Sequence, residues 1–387
     1  MGGEKLAAKR LRFAALAAGV GGALLFLWSI RAAGTSAVRD GVGRVGWWLV
    51  VIWLVGGIRY LLRAVAWRMC LDDPRRLPLT AAFGAAVMGD ALGNVTPFGV
   101  LVSEPSKVAF VQRRVGAGQA ISAVTIENLF YIASVVIVCV CGTAALLLSF
   151  DVGVPLRRTA NVTLGVALAF ALVVAVVLMR RVRVAGALVA ALESWPSLRR
   201  AAGDRRADVA AIEDQVFGFA SRHPSRLPSL LALEAAYHVA GVMEIWLTVT
   251  LITGAPIAFI TAFVLEFVNR TITIAFQFVP MWLGVDEAGT GAVATALHLG
   301  GATGVGLALV RKARVMVWTG LGLGLFFISR SWLQVSTPLP RQTKYRDAST
   351  DGGSTPSNRS AWTIRSAPSV TRSVNSVSRP SSPPRPF

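Results

Sequence analysis

Residues 161–179 read NVTLGVALAFALVVAVVLM, nineteen residues without a charge. A run of that length and character fits a helix through the hydrocarbon core of a bilayer, which takes roughly 20 apolar residues. Lipid offers no hydrogen-bond partners, so the backbone must satisfy itself within the helix. Comparable runs lie at about 13–31, 46–66, 117–149, 228–253 and 305–330. The 387-residue chain is 54% hydrophobic and only 15% charged, where soluble domains carry about 25% charged residues. Its mean hydropathy is +0.59. The sequence therefore predicts an all-α, polytopic transmembrane helical bundle.

The net charge of +19 follows the membrane rather than a nucleic acid. Lys5, Lys9, Arg10 and Arg12 precede the first run, and Arg59, Arg63, Arg68, Arg75 and Arg76 gather at the end of the second. RRVRV at 180–184 closes the fourth. Basic residues collect on the cytoplasmic side, which puts the N-terminus there. The 13–30 run is long for a signal-peptide core and lacks a small-x-small site, so it reads as an uncleaved span. The tail, 333–387, is Ser/Pro-rich and basic without an apolar period. It is expected to be disordered and cytoplasmic, with no aromatic interleaving for nucleic acid. Cys70, Cys139 and Cys141 have no metal or redox spacing, and no phosphate-binding Gly-x4-Gly-Lys occurs. No metal, cofactor or catalytic set is expected.

Two segments break the helical pattern. LTAAFGAAVMGDALG (79–93) is too short to span, NVTPFGVLVSEP (94–105) interrupts it, and a short helix of about 104–113 ends at Arg113-Arg114. Basic residues at both ends predict a re-entrant unit on the cytoplasmic side. A second unit starts at 257–278, breaks at PMWLGVDEAG (280–289) and continues to about 298. Asn94 stands three residues before Pro97, Gly99 follows, and Glu104 comes seven residues after the proline. Gln277, Pro280, Gly284 and Glu287 repeat that order, again with seven residues from proline to glutamate. Counting spans gives the two units opposite orientations.

The expectation is two inverted repeats, each carrying a re-entrant broken-helix hairpin. Repeat 1 covers about 46–149 and repeat 2 about 228–330 of a membrane domain at 1–332, with a cytoplasmic arm at 180–227. Secondary transporters place such breaks around a midplane cavity; two interfacial hairpins without a shared site are the competing reading. In the arm, Val209, Ile212, Val216 and Phe219 recur at helical spacing. That face lies either on the membrane surface or on the protein's own base.

Ionisable residues inside the apolar segments include Glu127, Glu234, His238, Glu244, Glu266, Arg270, Asp286, Glu287 and Arg311. Such groups are expensive in lipid and turn toward the bundle interior. Glu266 and Arg270, four apart, share one helix face. They serve either as an internal ion-pair network or as a polar cavity for an anionic headgroup, whose phosphate suits an arginine fork. Glu104 and Glu287 are each expected at a helix start, where capping and substrate contact both stay open.

NVTPFGVLVSEPSK (94–107) and FVPMWLGVDEAG with the downstream Arg311 resemble the two motifs of the lysylphosphatidylglycerol synthase transmembrane family, also called flippase-like domain proteins. The resemblance covers roughly 10–332. It implies a bacterial inner-membrane protein that moves or binds lipid, with membrane lipids and a separate lipid-modifying enzyme as expected partners. The candidate substrate-binding residues are then Asn94, Pro97, Gly99, Glu104 and Lys107 from the first unit. Glu266, Arg270, Pro280, Gly284, Glu287 and Arg311 come from the second half. The expected function is alternating access of an anionic or amino-modified lipid through a central polar cavity. The alternative is a membrane enzyme or accessory scaffold acting on a lipid-linked substrate. With no acyltransferase-like domain after the last span, aminoacyl-lipid synthesis by this chain alone is not expected.

Overall fold

The computed structural model describes residues 24–97, 99–195, 203 and 205–335. The expected start of the first span and the tail beyond Val335 lie outside them. All regular structure among the described residues is helical. The helices are α1 (Leu24–Ala33), α2 (Thr35–Val45), α3 (Trp48–Met69), α4 (Leu79–Asn94) and α5 (Val100–Val115). Next come α6 (Ala117–Ser149), α7 (Val154–Met179), α8 (Val184–Glu193) and α9 (Arg206–Arg222). The last four are α10 (Leu227–Thr253), α11 (Phe259–Ala275), α12 (Val285–Ala296) and α13 (Gly301–Val335). Among the described residues, four helical stretches are long and apolar enough to cross a membrane: Trp48–Met69, Ala117–Ser149, Val154–Met179 and Pro224–Thr253.

Punctuation residues account for the boundaries. Pro228 sits in the first turn of α10, where its missing N–H has no helical partner to lose. Gly254, at φ 75°, ends that helix in the left-handed conformation. Gly116, at φ 84°, separates α5 from α6.

One apolar cluster joins α6, α10 and α11 through Val135, Leu146, Ile245, Val249, Leu265 and Phe267. A second lies at the base, where Trp67, Leu71, Leu77, Val111, Phe219 and Leu230 meet. The most apolar window of α7 buries none of its residues within the protein, as a face turned to lipid requires.

The structure corrects one expectation and decides two points that the sequence leaves open. Residues 35–45, between the first two apolar runs, form α2, which buries Val38, Gly41 and Val45. Arg44 of that helix donates to Ile252 O, an end carbonyl of α10, at 2.9 Å, where a cation complements the helix dipole. The helix after the first break starts at Val100 rather than about 104. Gly99 already has α-helical dihedrals, and Ser103 N–H donates to Gly99 O at 2.7 Å, so Glu104 sits in the second turn and caps nothing. The arm's amphipathic face rests on the protein itself: Phe219 is 2% exposed, and Ser122 on α6 donates to Gln215 on α9 at 2.7 Å.

Candidate functional site

Charge is concentrated where the long helices meet. Arg59 and Arg63, one turn apart on α3, pair with different carboxylates. Arg59 Nη1 lies 3.4 Å from Glu244 Oε2 and its Nη2 lies 3.8 Å from Glu266 Oε1. Its guanidinium stacks over the Tyr237 ring at 4.4 Å. Glu244 also accepts from Arg314 Nε of α13 at 2.7 Å. Glu266 Oε1 accepts from both Nε and Nη2 of Arg270, at 2.8 and 2.6 Å. Arg63 forks onto Glu127 of α6 at 2.7 and 2.8 Å and lies over the Tyr131 ring at 4.2 Å. Arg270 Nη1 donates toward the hydroxyls of Tyr131 and Tyr237, at 3.3 and 3.5 Å.

Four guanidiniums and three carboxylates from five helices thus form one connected core. Taking each ion out of water costs several kcal/mol, and the attraction repays it only with good geometry. Here the positive charges exceed the carboxylates by one, and Arg59 Nε is buried without a hydrogen-bond partner among the described residues.

The second broken segment builds a neighbouring ionic group. Pro280 opens a single tight turn, Pro280–Trp282, before Gly284 at φ 82° leads into α12. Glu287 is fully buried. Its Oε2 accepts from Gly284 N–H at 2.7 Å, closing the start of α12 as a cap does. Its Oε1 lies 2.6 Å from Lys312 Nζ, an ion pair without hydrogen-bond alignment. Arg311 Nη2 donates to Asp286 Oδ1 at 2.6 Å and to Thr290 Oγ1 at 2.7 Å, while its Nε and Nη1 are buried without hydrogen-bond partners among the described residues.

The first broken segment closes on itself. Lys107, 6% exposed, reaches Asp90 Oδ1 at 2.8 Å and Glu104 Oε1 at 3.0 Å. Ser103 donates to Asp90 Oδ1 at 2.6 Å. Pro97 lies in the turn between α4 and α5. Gly99 is needed for close approach rather than for an unusual φ: a Cβ there would collide with the Gly93 carbonyl. Gly99→Ala should force α4 and α5 apart and destabilise the protein by about 1–3 kcal/mol, the usual range for overpacking. Thermal unfolding in detergent measures it, and an unchanged midpoint would contradict the close-packed tip.

The candidates therefore fall into three groups. Glu266 and Arg270 belong to the central core. Pro280, Gly284, Glu287 and Arg311 gather at the α12–α13 junction. Pro97, Gly99, Glu104 and Lys107 lie on the α4–α5 hairpin. Glu104 and Glu287 pair with different cations, Lys107 and Lys312. Asn94 Nδ2 donates to Thr319 Oγ1 of α13 at 3.0 Å, whereas Gln277, its counterpart in the spacing pattern, is exposed. Both breaks nevertheless touch α13. Thr319 and Arg311 are eight residues apart, about 12 Å along the axis at 1.5 Å per residue.

Sequence reasoning missed Arg59, Arg63, Arg314, Lys312 and Asp90, and the two tyrosines Tyr131 and Tyr237. The signal for the first pair was present: two arginines four apart on an apolar helix present one charged face, yet they were absorbed into the cytoplasmic cluster.

Long apolar helices around a buried ionic core, with two interrupted helical segments against the last helix, define a polytopic membrane protein with a polar centre. The chain belongs to the lysylphosphatidylglycerol synthase TM region family, whose model matches residues 13–324. That makes it a membrane protein of a lipid-related family. No curated protein and no solved structure matched.

Proposed function

We propose that the chain moves an anionic or amino-modified lipid between leaflets, or binds it in transit, by alternating access at the buried ionic core. The observation that supports this most is the core itself, with its surplus guanidinium and the unpartnered Nε of Arg59 among the described residues. A phosphate offers an arginine fork the same two-oxygen geometry as a carboxylate. An anionic headgroup can therefore join the core and match its surplus guanidinium without displacing a carboxylate. A headgroup that also carries an amine has Glu266 beside it.

A depression of about 540 Å³ lined by Asp40, Arg44, Ile252, Thr253 and Thr303, at the C-terminal end of α10, suits an entry route. The ion pairs of the core act as the closed gate. In this reading α4–α5 and α11–α12 are the re-entrant hairpins of an inverted repeat. The protein resides in a bacterial inner membrane with both termini in the cytoplasm.

Proteoliposomes carrying fluorescent phosphatidylglycerol test the proposal. The wild type should equilibrate the label between leaflets faster than protein-free vesicles, and Arg270→Gln should slow it about tenfold or more, as loss of a charged hydrogen bond implies. Equal rates for wild type and empty vesicles would sink it.

A further inference from the structure

Glu127, Glu244, Glu266, Asp286 and Glu287, and Asp90 and Glu104 on the hairpin, all have a Lys or Arg within ion-pair distance. Glu234 of α10, 3% exposed, has a serine instead. Ser134 Oγ of α6 lies 2.7 Å from Tyr131 O, 3.2 Å from Glu234 Oε2 and 3.0 Å from His238 Nε2. A hydroxyl carries one hydrogen and two acceptor lone pairs. One hydroxyl hydrogen thus faces two acceptors, Tyr131 O and Glu234 Oε2, while a lone pair can accept from His238 Nε2–H. When Glu234 takes a proton, its O–H donates to Ser134 Oγ and the hydroxyl hydrogen goes to Tyr131 O, so the competition is relieved. His238, 6% exposed, keeps Nδ1 buried without a hydrogen-bond partner among the described residues. Its ring stacks on Tyr131 and meets Tyr237 edge-on, at 6.3 and 5.3 Å between centroids.

We infer that Glu234, held by Ser134 and His238, is a proton-binding site coupled to the ionic core. This rests on the lipid-moving reading above. The charged groups that bear on the cluster are Arg59 and Arg63 of α3, Glu127 of α6, and Glu266 and Arg270 of α11. Of the cations near the ends and outer faces of α10, Arg226, just before the helix, is held by main-chain carbonyls, Arg314 of α13 by Glu244, and Arg44 of α2 by Ile252 O. With Glu234 protonated, one guanidinium of the core lacks a matching carboxylate, and an anionic headgroup matches it. With Glu234 ionised the core is balanced and the headgroup has no charge to meet. Proton and anionic lipid therefore bind together and leave together. The step is a proton association only: Glu234 takes the proton from water in the open state and returns it there.

The test is the fluorescent phosphatidylglycerol assay run with and without an imposed pH gradient. The wild type should drive the label toward the alkaline leaflet. Glu234→Gln, which mimics the protonated acid in shape and charge, should move label at the same rate whatever the gradient. Gradient dependence that persists in E234Q, or that the wild type lacks, overturns the proposal and leaves the lipid-moving reading standing. If no label moves at all, infrared difference spectra between acidic and alkaline buffer decide the proton site separately. A carboxylic-acid band present in wild type and absent in E234Q supports it; the same band in both overturns it. Ser134→Ala supplies a check, since it should shift the frequency of that band by removing its acceptor.

Discussion

Glu266→Ala should lower the stability of the folded protein by about 3–5 kcal/mol, the range for removing one partner of a buried ion pair. Glu266 is 1% exposed and neutralises Arg270 directly and Arg59 at longer range. Its removal leaves Arg270 facing tyrosine hydroxyls and rings without a carboxylate, while Arg59 keeps Glu244 at 3.4 Å. Asn269 Nδ2, which donates to Glu266 Oε2 at 3.4 Å, loses its acceptor as well. Refilling the gap with water is hindered by α10, since Gly241 brings its backbone against the carboxylate closely enough that a Cβ would lie 2.7 Å from Oε1. Replacing the Glu266–Arg270 pair together with Gln and Met should recover most of the loss, because no uncompensated partner remains at that pair. Tryptophan-monitored thermal unfolding in detergent is the measurement. A double variant as unstable as Glu266→Ala would show that the pair itself, rather than the stranded charge, holds the helices.

The second large effect separates the two glutamates that share a spacing. Glu287→Ala should destabilise by about 3–5 kcal/mol, again because a buried cation is left alone. Lys312, 8% exposed, loses its carboxylate, and Gly284 N–H loses its acceptor. Glu104→Ala should cost about 1 kcal/mol or less, in the range of an exposed pair. Its side chain is 22% exposed, and Lys107 keeps Asp90 at 2.8 Å. Parallel melting curves of the two variants measure the contrast. Equal shifts would mean that the matching offsets reflect matching structural roles.

That contrast shows what the sequence could carry. The run at 117–149 predicted α6 to the residue, because lipid imposes a length and a polarity that composition alone reveals. The breaks at Pro97 and Pro280 were legible for a similar reason: proline removes a donor that a buried helix cannot spare. The roles of Glu104 and Glu287 were not. Capping depends on where the helix begins, and that was set by the α-helical Gly99 in one case and the left-handed-φ Gly284 in the other.

Arg59 and Arg63 were misplaced because an arginine at a span end looks the same in sequence whether it faces headgroups or Glu244 and Glu127. Asp90 sat unnoticed in a stretch of small residues whose purpose, packing Gly89 and Gly93 against Lys107 and Gly99, appears only once α4 and α5 are side by side. Glu234 was counted with the ion pairs of its helix, and only the three contacts of Ser134 separate it from them.

The central claim is that the ionic core opens to each side of the membrane in turn. Asn269, 9% exposed and bonded to Glu266, reports on it as Asn269→Cys in a chain lacking Cys70, Cys139 and Cys141. A membrane-impermeant thiol reagent is applied to either face of sided proteoliposomes. Alternating access predicts reaction from both faces, slowed when anionic phosphatidylglycerol is added to vesicles of neutral lipid. Reaction from neither face would contradict it, and the buried charges would then be a scaffold rather than a passage.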